Sequence, residues 1–390
     1  MKADFDNKVI IWGKDGYNPL GLLRQLHNVA QVTFLLYGHS KFCAVKSRYC
    51  TKLHRTKNLE EGLDWLLRSF KGEKQKPFII PTGDLVAEYI DQNREKLLPY
   101  FYLSGTTEQG LLSKVIDKNY MNQLAQKCGF LIPKSMQCRW DTDISNVKYP
   151  CLIKPDKNRI NHNSEFKTII CSNKDELKKI LGNVSKDSVF VLQEYIPKQY
   201  DALVYGCRTA SGKIILPGVN MRDRWDGGDS GNGSHGFMSP IIPKSISTES
   251  INKFLSNIDY QGLFSVEFGI LDDKAYFYEF NLRNDGTSHY FNQAGVNIPL
   301  LYIFDTLNID YSNLSQILDG YHDFMAIADD FANVLNGRIS LNQWRRDKRQ
   351  ATVFRLYDKK DIMPFYYNVA IVALRPIKNI ATKLKKKLVQ

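Results

Sequence analysis

Residues 276–283 read Tyr-Phe-Tyr-Glu-Phe-Asn-Leu-Arg. Side chains of a β-strand alternate between its two faces. Glu279, Asn281 and Arg283 therefore share one face, and Tyr278, Phe280 and Leu282 the other. A carboxylate, an amide and a guanidinium make poor core filler. They suit a metal-bound polyphosphate: oxygen ligands for Mg²⁺ or Mn²⁺, and a planar cation for phosphate oxygens.

The preceding run, Leu263-Phe-Ser-Val-Glu-Phe-Gly-Ile270, repeats the design, with Phe264, Val266, Phe268 and Ile270 opposite Ser265, Glu267 and Gly269. Asp272-Asp273-Lys274 reads as the hairpin turn between them. A three-residue loop of this kind sets Glu267 opposite Glu279. A two-residue turn would pair Glu267 with Tyr278 and put the carboxylates on different faces. Facing carboxylates repel unless a cation sits with them. A solvent-exposed hairpin with cross-strand charge pairs shows the same alternation, but it does not account for the motifs around this one.

The chain has 390 residues, 43% hydrophobic and 24% charged, as expected of two or three globular units. Its seven cysteines form no CxxC pair and have no zinc-type histidine spacing, so they read as reduced, mostly buried thiols. No signal-peptide pattern opens the chain, and no apolar run approaches the ~20 residues that span a bilayer. These features predict a cytoplasmic protein. The net charge of +12 is concentrated in residues 16–59 and 362–390, neither of which contains an acid. Localised charge of this kind points to a polyanionic partner, or simply to a solvated surface and tail. Residues 377, 380, 381, 384 and 388 are apolar at helical spacing with lysines between them, the pattern of a basic helix lying on an anionic membrane at its inner face. Nucleic acid is disfavoured, because no helix-turn-helix, zinc-finger or RNP pattern is present.

Lys8–Trp12 and Gln31–Tyr37 read as strands, with a helix over Leu20–His27 between them, and Pro77–Pro81 reads as a buried strand between helices Leu59–Phe70 and Leu85–Leu97. This alternation predicts a parallel α/β domain. Thr82, Gly83 and Asp84 fall at a strand's carboxyl end, where such sheets bind ligands, although an ordinary capped turn fits equally well. A helix is expected over 114–128. Strands then dominate: Cys151–Lys154, Lys167–Cys171, Val189–Tyr195, Leu203–Arg208 and Lys213–Pro217, interrupted by a helix at Asp175–Leu181. Residues 221–237 are glycine-rich and read as a long functional loop.

The order of the remaining motifs is more specific than any one of them. Asp117-Lys118 opens a helix. Tyr149-Pro-Cys-Leu-Ile-Lys-Pro155 ends an apolar strand in Lys154, and Val189-Phe-Val-Leu-Gln-Glu-Tyr-Ile-Pro197 runs from an apolar strand into a polar pair. Asp201 and the Glu267/Glu279/Asn281/Arg283 hairpin follow. This series, over about residues 100–305, resembles the ATP-grasp superfamily, and within it carboxylate–amine ligases of the D-aspartate ligase type.

The resemblance implies an N-terminal parallel α/β domain (1–112), then an ATP-grasp fold of two α+β subdomains (113–190 and 191–310), and a C-terminal helical, basic extension (311–390). It implies ATP and Mg²⁺ as cofactors. Lys118 and Lys154 would hold the phosphates. Gln193, Glu194, Tyr195 and Ile196 would form the adenine hinge, and Asp201 would accept from the ribose. Glu267, Glu279 and Asn281 would be the metal ligands. Arg283, with Lys154, would act catalytically on the transferred phosphoryl group. Arg222, Arg224 and His235 in the glycine-rich stretch, Asn284 and His289 after the hairpin, and Asp84 are candidates for substrate contacts. One stretch departs from the family: Asp156–Ser164, where a glycine-rich flap is usual, contains no glycine, so His162, Asn163 or Ser164 would have to cover the phosphates.

The implied activity is ATP-dependent amide formation between a carboxylate and an amine, through an acyl phosphate, on small molecules or a cell-envelope precursor. An ATP-grasp kinase or carboxylase is the alternative within the superfamily. A non-catalytic nucleotide-binding or membrane-surface scaffold is the alternative outside it.

Overall fold

The run Val9–Gly13 is buried along its whole length, with strands at both edges, Val9 and Ile11 in one apolar cluster with Leu22 and Leu26, and Ile10 and Trp12 in another with Leu63 and Leu66. The computed structural model describes residues 5–39, 43–155, 169–226 and 232–371. A five-stranded sheet takes the order Leu53–Thr56, Val32–Tyr37, Val9–Gly13, Phe78–Pro81, Tyr102–Leu103, and every pair in it is parallel. Helices Tyr17–Leu26, Leu59–Phe70 and Asp84–Gln92 connect the strands. The first of these begins earlier than expected. It takes in Pro19, which lies in the first turn, where a missing N–H costs no helical hydrogen bond.

The helix expected over 114–128 is two helices, Leu111–Val115 and Lys118–Lys127. Asp117 separates them, because its carboxylate caps the second helix by accepting from the Tyr120 N–H at 2.9 Å. A four-stranded antiparallel sheet follows, in the order Ser135–Cys138, Phe190–Glu194, Cys151–Pro155, Ile169–Cys171. Cys138, Cys151, Ile153, Cys171, Leu177, Phe190 and Leu192 form its core. Since Phe190–Glu194 pairs here, the chain passes to the next sheet after 194 rather than at 190.

The large sheet has nine strands. Its main path runs Lys274–Asn281, Tyr260–Leu271, Tyr200–Arg208, Val219–Trp225, Gly233–Ser239, His322–Met325, Val353–Phe354. Two expectations change here. In the glycine-rich stretch 221–237, the described residues form a strand pair, Val219–Trp225 with Gly233–Ser239, and residues 227–231 lie outside the described residues. Gly233 and Gly236 serve close packing: a Cβ on Gly233 would lie 2.1 Å from the Arg222 side chain, and one on Gly236 would lie 2.0 Å from the Met221 carbonyl oxygen. The region after 310, expected as a helical extension, also supplies the last two strands of this sheet.

One face of the large sheet packs Phe264, Val266, Phe268, Ile270, Phe277 and Phe280 against helices Thr248–Asn257 and Lys118–Lys127. The other face packs Leu203, Tyr205, Cys207 and Leu263 with Leu22, Leu23 and Leu26 of the N-terminal helix and with helix Ile298–Thr306. The N-terminal domain is thereby joined to the face that carries the acidic residues. All seven cysteines are free thiols, and all but Cys50 are buried. Arg24, one of the cations of the basic N-terminal segment, is not at the surface: it is buried and bonded to Asp361 at 2.9 Å. Among the described residues no helix is long and apolar enough to cross a membrane. The flap stretch 156–164 and the basic amphipathic stretch 377–388 lie outside the described residues.

The hairpin reaches its expected pairing by an unexpected route. Leu271 pairs Lys274, so the turn is the two residues Asp272-Asp273, both left-handed at φ 48° and 57°. That backbone matches the strand twist of a two-residue hairpin. Alone, it would part the two glutamates. A bulge at Tyr278 restores the register, and Glu267 lies opposite Glu279. The bulge also moves Tyr278 off the apolar face. Its ring lies over Gly269, where a Cβ would come within 2.0 Å of the phenol oxygen. Gly269→Ala should therefore displace Tyr278 and disturb the glutamate register. We expect a loss of about 1–3 kcal/mol of stability from overpacking, which chemical denaturation measures.

Candidate active site

Glu267 and Glu279 face each other on adjacent strands, and Asn281 faces Ser265 one step along, its Nδ2 3.3 Å from Ser265 Oγ. Burial pushes the Glu267 carboxyl up to about 7, with Glu279, Asp285 and Asp201 adding to the effect and Arg222 opposing it. Arg222 Nη2 lies 3.1 Å from Glu267 Oε2. Arg222 is thus the partial counter-ion of the glutamate pair, and the donor set of two carboxylates and an amide oxygen fits a hard divalent cation. No group of three His, Cys, Asp or Glu able to hold a metal occurs among the described residues. A cation here would therefore complete its shell from a bound phosphate or water.

The small sheet contributes the opposing charge. Lys154 Nζ donates to Gln193 Oε1 at 2.6 Å, across neighbouring strands. Burial and then the nearby Lys118 charge push the Lys154 amine down to about 8, against the pull of Glu279. The two lysines singled out in the sequence thus lie within electrostatic reach of each other, and Lys154 within that of Glu279 on the hairpin. Gln193 is 8% exposed, Glu194 is exposed, and Ile196 is buried. The Glu194 N–H donates to the Lys134 carbonyl at 2.8 Å, which fixes the end of the strand where the chain turns into Tyr195 and the next sheet.

Asp201 lies opposite both Gly269 and Arg222 in the large sheet. Its carboxylate accepts from Lys198 Nζ at 2.8 Å and from the Trp225 indole N–H. Lys198 stands 4.4 Å above the Trp225 ring and 6.0 Å from that of Tyr278. The sequence reading missed Lys198, Trp225 and Tyr278 as a group. They come from separate segments, and Tyr278 reaches this face only through the bulge.

Arg283 joins the hairpin to the N-terminal domain. Its Nε donates to Asp84 Oδ1 at 2.9 Å, its Nη2 to Asn281 Oδ1 at 3.0 Å, and its Nη1 to the Asn284 carbonyl at 3.1 Å. Asp84 opens a helix directly after a parallel strand, at the strand end anticipated for ligand contact. Asn284 is fully buried, accepts from the Tyr205 hydroxyl at 2.7 Å, and bonds Asn18 of the N-terminal domain.

The other three substrate candidates are not brought to this cluster. A bulge between Arg222 and Arg224 breaks their two-residue alternation. Arg222 reaches Glu267, whereas Arg224 grips Asp330 with two bonds of 3.1 Å and Asp347 with one of 2.7 Å. His235 bonds Asp223 at 2.7 Å. His289 is buried, its Cβ close to where a Cβ on Gly21 would stand, and burial with the Arg24 charge pushes its imidazole down to about 3.

The three-sheet arrangement matches solved structures over most of its length. N5-carboxyaminoimidazole synthetase from Staphylococcus aureus, complexed with ADP, superposes with a TM-score of 0.62 at 14% identity, covering 87% of this chain and 86% of that one. The L-amino acid ligase from Bacillus licheniformis gives a TM-score of 0.56 at 13% identity, covering 79% and 76%. This chain has the ATP-grasp fold. The expectation of an N-terminal parallel α/β domain followed by an ATP-grasp fold of α+β parts is met. In sequence, the chain is 20% identical over 249 residues to D-aspartate ligase of Enterococcus faecium (strain Aus0004), over 59% of this chain and 58% of that protein. It therefore spans well under two thirds of that curated relative. No protein-family model matches the sequence.

Proposed function

We propose that the chain is an ATP-dependent carboxylate–amine ligase. The observation that carries this is the facing Glu267–Glu279 pair with Asn281 and Arg283, set across from Lys154 and Lys118. On this reading the lysines hold the nucleotide phosphates, and the Gln193–Ile196 segment and Asp201 take the adenosine. Glu267, Glu279 and Asn281 would hold Mg²⁺ or Mn²⁺, which supplies charge neutralisation and alignment of the phosphates when bound. Arg283 steadies the transferred phosphoryl group, and Asp84 fixes the guanidinium from the N-terminal side. The substrate carboxylate takes the γ-phosphoryl group and ADP leaves. The amine then displaces phosphate from the acyl phosphate to give the amide. None of these steps requires a side-chain nucleophile.

Candidate positions for the joined substrates are Asp84, at the junction of the N-terminal domain and the hairpin, and Arg222, beside Glu267, whereas the fully buried Asn284 ties the two parts together. The relationship to D-aspartate ligase and the concentrated basic charge favour an amino acid and a cell-envelope precursor, met in the cytoplasm at the membrane face. A second reading, ATP-dependent carboxylation of an amine, is favoured by the likeness to N5-carboxyaminoimidazole synthetase. A screen of ADP release over amino acids of both configurations, with and without envelope-precursor acceptors, separates them. Ligation predicts ADP release that requires both substrates and yields an amide. Bicarbonate-dependent release with a carbamate product would replace the ligase reading.

A further inference from the structure

The last described helix, 363–371, is apolar on the side that faces outward. Met363, Tyr366, Tyr367 and Ala370 are exposed at the i, i+3, i+4, i+7 spacing of a single helical face. Met363 and Tyr366 are each 60% exposed, and Val369, 38% exposed, widens the strip. The opposite side is seated. Pro364 and Asn368 are buried, and the Phe365 ring meets that of Tyr357 edge-on at 5.5 Å. The exposure is thus not that of a detached helix.

Cations from two distant parts of the chain surround this strip. Lys46 Nζ stands 5.2 Å from the Tyr367 ring centre. Arg48 is exposed and donates to the Lys360 carbonyl at 3.3 Å, and Lys359 and Lys360 are exposed just before the helix. The neighbouring acids are already engaged. Asp361 is buried and accepts from Arg24, the Ser47 hydroxyl and the Arg48 N–H. Asp358 accepts from the Lys360 N–H at 2.8 Å and lies 3.9 Å from Arg24. The outward charge around the strip is positive.

We propose that this face docks on an anionic lipid surface. Met363, Tyr366, Tyr367 and Ala370 enter the headgroup layer, and Lys46, Arg48, Lys359 and Lys360 meet lipid phosphates. Tyrosine suits that boundary because its ring is apolar and its hydroxyl stays wet, and lysine stems cover apolar surface while the ammonium reaches charge. Contact with a second copy about a two-fold axis would bring these cations against themselves, which disfavours it. The inference goes beyond the ligase reading and does not depend on it.

The test is co-sedimentation of the full chain, without substrates, with vesicles of phosphatidylcholine alone or mixed with phosphatidylglycerol. Binding is expected only to the anionic vesicles. Lys359→Glu/Lys360→Glu should weaken it at least about tenfold, and Met363→Ser/Tyr366→Ser/Tyr367→Ser should weaken it similarly, with melting temperature and mass in solution unchanged. If the triple variant melts early, Tyr366→Ser alone carries the apolar arm. Partitioning unchanged by these substitutions overturns the proposal. So does a fall from dimer to monomer mass in the triple variant, which would make the strip a contact between copies of the chain.

Discussion

Glu279→Gln is expected to lower substrate-dependent ADP release by roughly 10²–10³-fold, the scale on which removing one preorganised electrostatic contact acts, while raising the melting temperature of the free protein. The two effects have one cause. Glu279 faces Glu267 in a cluster that also contains Asp285 and Asp201, with Arg222 the cation bonded to Glu267. Without a divalent cation the facing carboxylates repel, so neutralising one relieves the folded state. With the nucleotide bound, the proposed function makes the same change the loss of a metal ligand, which glutamine replaces poorly. Activity and stability should therefore move in opposite directions, as at other sites built for function at a cost to stability. Thermal unfolding with and without Mg²⁺–ATP, beside initial rates, checks this: wild type should gain more from Mg²⁺–ATP than the variant. Equal gain in both, with activity retained, would remove Glu279 from the metal site and take the ligase proposal with it.

Lys154→Met is the second large effect, and it carries a pH signature. Burial and Lys118 hold the Lys154 amine at about 8 in the folded chain, below its ordinary 10.5. The unfolded chain therefore holds more protons than the folded one between those values. Stability attributable to this residue rises with pH across that window, and the penalty is fully present below about pH 8. Allowing for the partial exposure of Lys154, it amounts to something on the order of 2–3 kcal/mol. Methionine removes the charge and keeps the stem, so the variant should be more stable than wild type at pH 7, with the difference shrinking towards pH 10. Its nucleotide affinity should be lost. Phosphate oxygens favour the charged amine, so nucleotide binding to wild type near pH 8.5 should take up a proton. Calorimetry in two buffers of different ionisation enthalpy reads that uptake directly, and Lys154→Met should not show it.

The hairpin shows how much of the site was legible in the chain. Alternation placed Glu267 with Ser265 and Glu279 with Asn281 and Arg283, because a strand's side-chain period is a local property. The facing of the two glutamates depended on more than that. A two-residue turn set one register and the bulge at Tyr278 corrected it, with room for the Tyr278 ring left only because residue 269 has no side chain. Arg222 and Arg224 carry the same lesson. Two residues apart in sequence, they reach different acids because a bulge falls between them. Two glycines of the run beside them, Gly233 and Gly236, serve close packing between strands.

By itself the sequence determined the parallel N-terminal sheet, the two lysines at the ends of their segments, the polar hinge and the acidic face of the hairpin. Each rests on periodicity, capping or the chemistry of residues a few positions apart. Only the tertiary structure decided what meets what: Asp84 with Arg283, Lys154 with Gln193, Lys46 with Tyr367. Those pairs are separated by tens to hundreds of residues. No local pattern encodes them, because they follow from sheet order, from bulges that shift register, and from the packing of the N-terminal helix onto one face of the large sheet.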